Sequence, residues 1–256
     1  MQIKIKNILL SQNSPEDFEK SPYADLKKKY SINIDFYKFF RMETISGLEF
    51  RKQKVNVLEH SAIIFSSKNT IDSFFSLMKE VRVEMPESMK YYCSTDTIAF
   101  YLQKYIQYRK RKIFYPKVNT PTALIDLLAK NKLHNYLVPS GTGEKNSQLA
   151  DFFAKSKINY TSIEVFQVVA NDLKNDIDLT KYDMLVFFSP FGIKALKENF
   201  PDLQPDRWAI GALGATTVSA IEKEGWSVHV MAPTKEAPSI TAALNTFCKK
   251  YANRRR

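Results

Sequence analysis

The sequence predicts an α/β protein built as two domains of one architecture, each a parallel sheet with helices on both faces. Three observations predict it. Short apolar runs recur, each followed at once by Ser, Thr or Asn and then by helical periodicity. Such strand–turn–helix units occur in the same order in both halves of the chain. The chain also has the length for two ordinary domains, 256 residues with 44% hydrophobic and 13% aromatic content.

Taken in order, residues 3–10 (IKIKNILL) alternate and then turn polar, which reads as a first strand rather than a leader peptide. A helix is expected near residues 23–30 and a strand at 32–36. The runs 63–66 (IIFS), 185–188 (LVFF) and 208–211 (WAIG) are apolar without alternation, as parallel strands buried on both faces require. Each is followed by residues suited to a helix N-cap. Helical spacing then takes over, at Ile71, Phe74, Phe75 and Met78 in one unit and at Ile193, Leu196 and Phe200 in another. Further strands are expected at 135–139 and 158–168. The polar stretch 170–183 (ANDLKNDIDLTKYD) reads as a linker or crossover.

The repeat has three units. AIIFSSKNTIDSFFSL (62–77) registers with LVFFSPFGIKALKENF (185–200), Ser67 falling on Ser189. KYYCSTDTIAFYLQKY (90–105) registers with WAIGALGATTVSAIEKEG (208–225), Thr97 on Thr217. RKIFYPKVNTPTALIDLL (111–128) registers with SVHVMAPTKEAPSITAAL (227–244), Pro121 on Pro238. A period this long suits two domains rather than a solenoid. The strands before residue 39 lack a full sheet unless they join the C-terminal half. The expected division is therefore a discontinuous domain, 1–38 plus 170–256, with 39–169 inserted. Two connections then form a hinge beside a cleft, and ligands of such sheets bind beyond the carboxyl ends of the strands. The repeated polar turns sit there, where N–H groups and helix dipoles favour anions.

Charge points the same way. The net charge is +11, with basic runs at 27–29, at 109–112 and in the tail KKYANRRR. This balance suits an anionic partner, although any single run also reads as solvated surface, and the tail as a disordered end. No apolar run approaches the roughly 20 residues of a membrane span. Cys93 and Cys248 are far apart, and His60, His134 and His229 are scattered singly. That pattern suggests a reduced, cytoplasmic protein with neither a disulfide framework nor a metal knuckle. SGTGEKNS (140–147) lacks phosphate-loop spacing, and GALGAT (211–216) fits a dinucleotide fingerprint only loosely. No nucleic-acid signature combines aromatics with the basic runs. The residues alone thus imply a cleft lined by Ser, Thr, Asn and N–H groups in a basic molecule, suited to a small polyanion.

Several segments resemble the uroporphyrinogen-III synthase family. FFSPFGI is similar to its FFSPSG segment, GATTVSAIEKEG to its GPTTA segment, EAPSITAAL to its closing segment, and IIFSSKNTI to its FTSPNAV. ILLSQNSP and NIDFYKFFRME are like its opening. The resemblance implies two flavodoxin-like domains joined by a two-strand hinge, with the active site in the cleft. It implies conversion of the linear hydroxymethylbilane into uroporphyrinogen III, with ring D inverted and water lost, and with no cofactor or metal. A monomer is expected, working beside the synthase that makes the bilane. The alternative is a non-catalytic tetrapyrrole or polyanion binder on the same fold. Thr217 and Thr216 match the family's paired threonines, and Ser189 and Gly192 match its FFSP segment. Ser67, Lys68 and Asn69 fall on the corresponding turn of the inserted domain, and Thr97 on its weaker threonine turn. Thr217 is the catalytic candidate; the others are candidates for substrate binding. Phe166, in EVFQVV, stands where the family places a tyrosine and is expected at a cleft edge; a phenyl ring cannot donate a hydrogen bond. Lys68 and Ala215 stand where the family has prolines.

Overall fold

The computed structural model describes residues 5–107, 109–118, 120, 122–132, 134–143 and 147–251. Pro121 of the third repeat unit, residues 144–146 of the SGTGEKNS loop, the first residues of the first strand and the last five residues of the basic tail lie outside these. The chain folds as two compact units. One, discontinuous, comprises Met1–Arg41 and Val169–Arg256; the other, continuous, comprises Met42–Val168.

In the discontinuous unit the elements are β1 (Asn7–Leu10), α1 (Pro22–Tyr30), β2 (Asn33–Phe36) and the start of β3 (Phe40–Thr44). The continuous unit carries α2 (Gly47–Lys52), β4 (Ala62–Phe65), α3 (Lys68–Glu80), β5 (Lys90–Cys93), α4 (Asp96–Leu102), β6 (Ile113–Phe114), α5 (Ala123–Ala129), β7 (Tyr136–Gly141), α6 (Ser147–Ser156) and most of β8 (Tyr160–Ala170). The chain then returns through α7 (Leu173–Asp176), β9 (Met184–Phe187), α8 (Pro190–Asn199), β10 (Ala209–Leu213), α9 (Ala215–Lys223), β11 (Val230–Ala232) and α10 (Ile240–Tyr251). The crossings between units fall inside β3 and inside β8, which neighbour each other in one sheet.

Among the described residues the strands form two sheets. The discontinuous unit has the order β11-β10-β9-β1-β2, parallel throughout. The continuous unit has the order β3-β8-β7-β4-β5-β6, parallel from β8 to β6. The three repeat units map onto adjacent strands, β4-β5-β6 in one sheet and β9-β10-β11 in the other. With these superposed in order, β7 takes the place of β1, and β8 that of β2. Both sheets then have the flavodoxin-like order, entered by the chain at different points, and both carry a topological switch point, β1/β9 in one and β7/β4 in the other.

Each sheet is buried on both faces because successive side chains point to opposite sides. Ile8, Leu10, Met184 and Val186 face one core, beneath α1 and α10, while Leu9, Leu185 and Phe187 face another, beneath α8 and α9. In the continuous unit Ile63, Phe65, Tyr91 and Cys93 share a core with α3 and α4, whereas Ala62, Ile64 and Tyr92 pack against residues of α5 and α6. Full burial of each large side chain contributes about 1.5–3 kcal/mol. α3 presents Ile71, Phe74, Leu77 and Met78, all at most 2% exposed, as one stripe. The basic run at 27–29 forms the last turn of α1, where cations complement the helix dipole.

The stretch 170–183 is more ordered than a linker. Asp172 and Asp178 accept hydrogen bonds from the N–H groups of Asn175 and Thr180, which starts α7 and a 3₁₀ turn, Leu179–Lys181. Leu173 and Leu179 are thereby buried. Polar composition concealed two caps, each setting one leucine into the core.

Candidate active site

Ligands of open α/β sheets bind beyond the carboxyl ends of the strands, at the switch point. In the discontinuous unit that point lies between β1 and β9. Ser11 follows β1 directly and is 4% exposed. Its N–H donates to the Val186 carbonyl at 2.9 Å, and its Oγ accepts from the Phe188 N–H at 3.3 Å. Gly192, in the first turn of α8, covers this serine. A Cβ there would stand 3.3 Å from Ser11 Oγ and 3.3 Å from the Phe187 ring, so any larger residue would press on both, and glycine suits the close approach of α8 to the strand ends.

Ser189 occupies the N-cap of α8 but caps nothing, and its Oγ is buried with no hydrogen-bond partner. Pro190 has no N–H, and the Phe191 N–H makes no hydrogen bond among the described residues. The neighbouring helix α9 is also uncapped by a side chain. Its N-cap is Gly214, at φ 87°, and the Gly214 carbonyl accepts from the N–H groups of Thr217 and Val218, both at 3.1 Å. The N–H groups of Ala215 and Thr216 are left without a partner among the described residues. Thr216 is exposed. Thr217 is only 1% exposed, and its N–H turns back to Gly214 rather than outward, because the glycine turn closes on it. Two adjacent helix N-termini thus present unpaired N–H groups at one rim, an arrangement that attracts carboxylates.

The matching rim of the continuous unit is capped. Ser67 Oγ accepts from the Thr70 N–H at 3.1 Å and lies 2.7 Å from Thr70 Oγ1. Lys68 is exposed at the first position of α3, its Nζ 5.2 Å from the Tyr101 ring centroid. Asn69 donates through Nδ2 to Met42 Sδ at 2.9 Å. Thr95, not Thr97, caps α4, accepting from the Ile98 N–H; Thr97 is exposed, and its N–H and hydroxyl both donate to Asp96. β7 ends here at the switch point, and the Thr142 N–H donates to the Phe166 carbonyl at 2.7 Å.

The structure brings Ser189, Gly192, Thr216 and Thr217 to adjacent strand ends of one unit. It brings Ser67, Lys68, Asn69 and Thr97 to adjacent strand ends of the other. Phe166 reaches the second of these rims only through its backbone carbonyl. Ser140 pairs with Glu164 but Gly141 pairs with Phe166, so Val165 is the extra residue of a β-bulge. The bulge resets the alternation, and Val165 and Phe166 both enter the core that holds Ile163. Phe166 is 2% exposed there, so its ring lies in a core and not at an edge. Tyr37, just beyond β2, carries a phenol, but its hydroxyl donates to Asp176, and that bond, then burial, pushes it up to about 12.

Ser11 was not singled out from the sequence. Its signal was present, because ILLS (8–11) and IIFS (63–66) write three apolar residues and a serine in one pattern, and VFFS (186–189) repeats it. Among the described residues, no group of three His, Cys, Asp or Glu side chains could hold a metal ion. Cys93 and Cys248 are both buried thiols, pushed up by burial to about 12 and about 11. No described helix is long and apolar enough to cross a membrane.

No curated protein matches the chain at a significant level. Among solved structures, it is similar to the uroporphyrinogen-III synthetase of Helicobacter pylori 26695, with TM-score 0.56 and 16% identity over 96% of this chain and 100% of that one. It is also similar to a mutant uroporphyrinogen III synthase of the extremely thermophilic bacterium Thermus thermophilus, with TM-score 0.51 and 13% identity over 98% and 100%. At these identities the likeness carries the fold. The family model described as uroporphyrinogen-III synthase HemD matches residues 29–242. The chain therefore belongs to the uroporphyrinogen-III synthase family, cyclising hydro-lyases that close hydroxymethylbilane to uroporphyrinogen III.

Proposed function

We propose that the chain carries out this ring closure with the substrate's carboxylates held at the carboxyl-end rim of the discontinuous unit's sheet by the unpaired N–H groups of Phe191, Ala215 and Thr216. The observation that carries the reading is the contrast between units: α8 and α9 lack side-chain caps, whereas α3 and α4 have them. Exposed contacts of this kind contribute only about 0.3–1 kcal/mol each, so several must act together on one polyanion.

In this reading, water leaves the hydroxymethyl carbon of ring A to give an azafulvene. Ring D attacks through its substituted carbon, and the spiro product fragments and recloses inverted. The pyrroles stabilise the cation themselves, so the protein chiefly sets geometry. Thr217 is the candidate to assist departure of the hydroxyl. The division of the chain into a discontinuous domain of 1–38 plus 170–256 and an inserted domain of 39–169 belongs to the same reading. So do a monomeric state, a cytoplasmic location and delivery of the bilane by the synthase that makes it. The buried Phe166, in place of the family's tyrosine, favours a second reading, a tetrapyrrole binder without turnover.

The test of the site is the salt dependence of uroporphyrinogen III binding. An electrostatic clamp predicts affinity that falls as ionic strength rises. Equal affinity at low and high salt would remove the clamp.

A further inference from the structure

The basic run at 109–112 has no role in the site just described. It leads into the amino end of β6, whereas the substrate rim lies at the carboxyl ends of the same parallel sheet. Beside it two cavities share Met85 and Ile106. The larger, about 480 Å³, is walled by Phe75, Met78, Val83 and Tyr105, with Lys79 and Arg82 at its edge. The smaller, about 190 Å³, is lined by Tyr91, Gln107, Arg109 and Lys112.

Three features point to an occupant. Tyr91, 3% exposed overall, lines the smaller cavity, and no described residue accepts a hydrogen bond from its hydroxyl. Burial pushes that phenol up to about 12, so it is a donor at neutral pH. Lys79, Arg82 and Lys112 have no ion-pair partner among the described residues, and only Arg109 is paired, with Glu87 at 3.3 Å. The apolar floor and the cationic donors adjoin, which matches an apolar side chain next to a carboxylate.

We infer that this groove is a docking surface for an acidic segment of a partner protein that carries apolar side chains beside its carboxylates. Nucleic acid fits less well, because the floor offers apolar depth rather than a stacking face. A second copy of this chain also fits poorly, since two molecules at +11 repel each other. The surface is independent of the ring-closing site.

The test uses the full chain and a short labelled peptide alternating Glu with Leu and Phe, followed by fluorescence anisotropy. The wild-type protein is expected to bind it. Arg109→Glu combined with Lys112→Glu is expected to weaken binding about tenfold or more, as reversal of facing charges does. Tyr91→Phe is expected to weaken it severalfold, and both variants should keep wild-type circular dichroism and ring-closing turnover. The inference is overturned if the wild-type protein does not bind, if an all-Glu peptide binds as tightly, if a DNA duplex displaces the peptide and shows the same variant dependence, or if neither variant changes affinity.

Discussion

Ser67 and Ser189 hold matching positions in the repeat, each after a buried strand and before a helix, and the structure gives them opposite energetics. Ser67 Oγ accepts from the Thr70 N–H, and Thr70 is 2% exposed. Ser67→Ala removes that cap and should cost about 1 kcal/mol. Ser189 Oγ makes no cap bond and is buried unpartnered. A hydroxyl in that state costs about 1–3 kcal/mol relative to water in mutational series. Ser189→Ala should therefore leave stability unchanged or raise it by up to about 1 kcal/mol, since no bond is lost and a desolvated oxygen is removed. Chemical denaturation separates the two. Trp208 and Trp226 both belong to the discontinuous unit, so tryptophan fluorescence reads Ser189→Ala, and far-UV circular dichroism reads Ser67→Ala. If the Ser189 hydroxyl turns to a substrate carboxylate on binding, Ser189→Ala also raises KM about tenfold, equivalent to about 1.4 kcal/mol. Loss of as much stability from Ser189→Ala as from Ser67→Ala would mean instead that the Ser189 hydroxyl caps α8.

Phe166→Tyr places a hydroxyl in a core beside Ile163 and Val165 and should destabilise the protein by about 1–3 kcal/mol. Thermal melts check this, and a variant as stable as wild type would mean that the new hydroxyl finds a partner. Thr217→Val keeps the shape of a side chain that is 1% exposed and deletes its hydroxyl, so the melting temperature should barely move. If the hydroxyl assists departure of water, turnover should fall at least about tenfold, or about 1.4 kcal/mol in the barrier. Wild-type turnover in that variant would leave Thr217 a packing residue.

The repeated apolar runs made the sheets legible, because a strand buried on both faces can only be written as continuous apolar sequence. The turns were legible for a related reason: helix N-termini select Ser, Thr and Gly. What the residues could not convey was which turn is capped. Ser67 and Ser189 look alike in sequence, and only the position of the side chain separates a spent oxygen from an unspent one. Thr97 and Thr217 likewise registered together, yet Thr95 takes the capping role beside one of them and a glycine turn takes it beside the other. Phe166 is expected at a cleft edge from its likeness to a family segment, and a one-residue bulge at Val165 turns its ring into the core instead. Ser11 escaped notice because its partners, Phe188 and Gly192, lie far along the chain and reach it only through the pairing of β1 with β9.

Closure of a linear tetrapyrrole by this chain, with inversion of one ring, is read out by incubating the purified protein with hydroxymethylbilane and resolving the product isomers. Uroporphyrinogen III should be the main product, formed faster than the bilane closes unaided. Product consisting of the uninverted isomer, at the rate seen without protein, would contradict it and leave a tetrapyrrole-binding protein on a synthase fold.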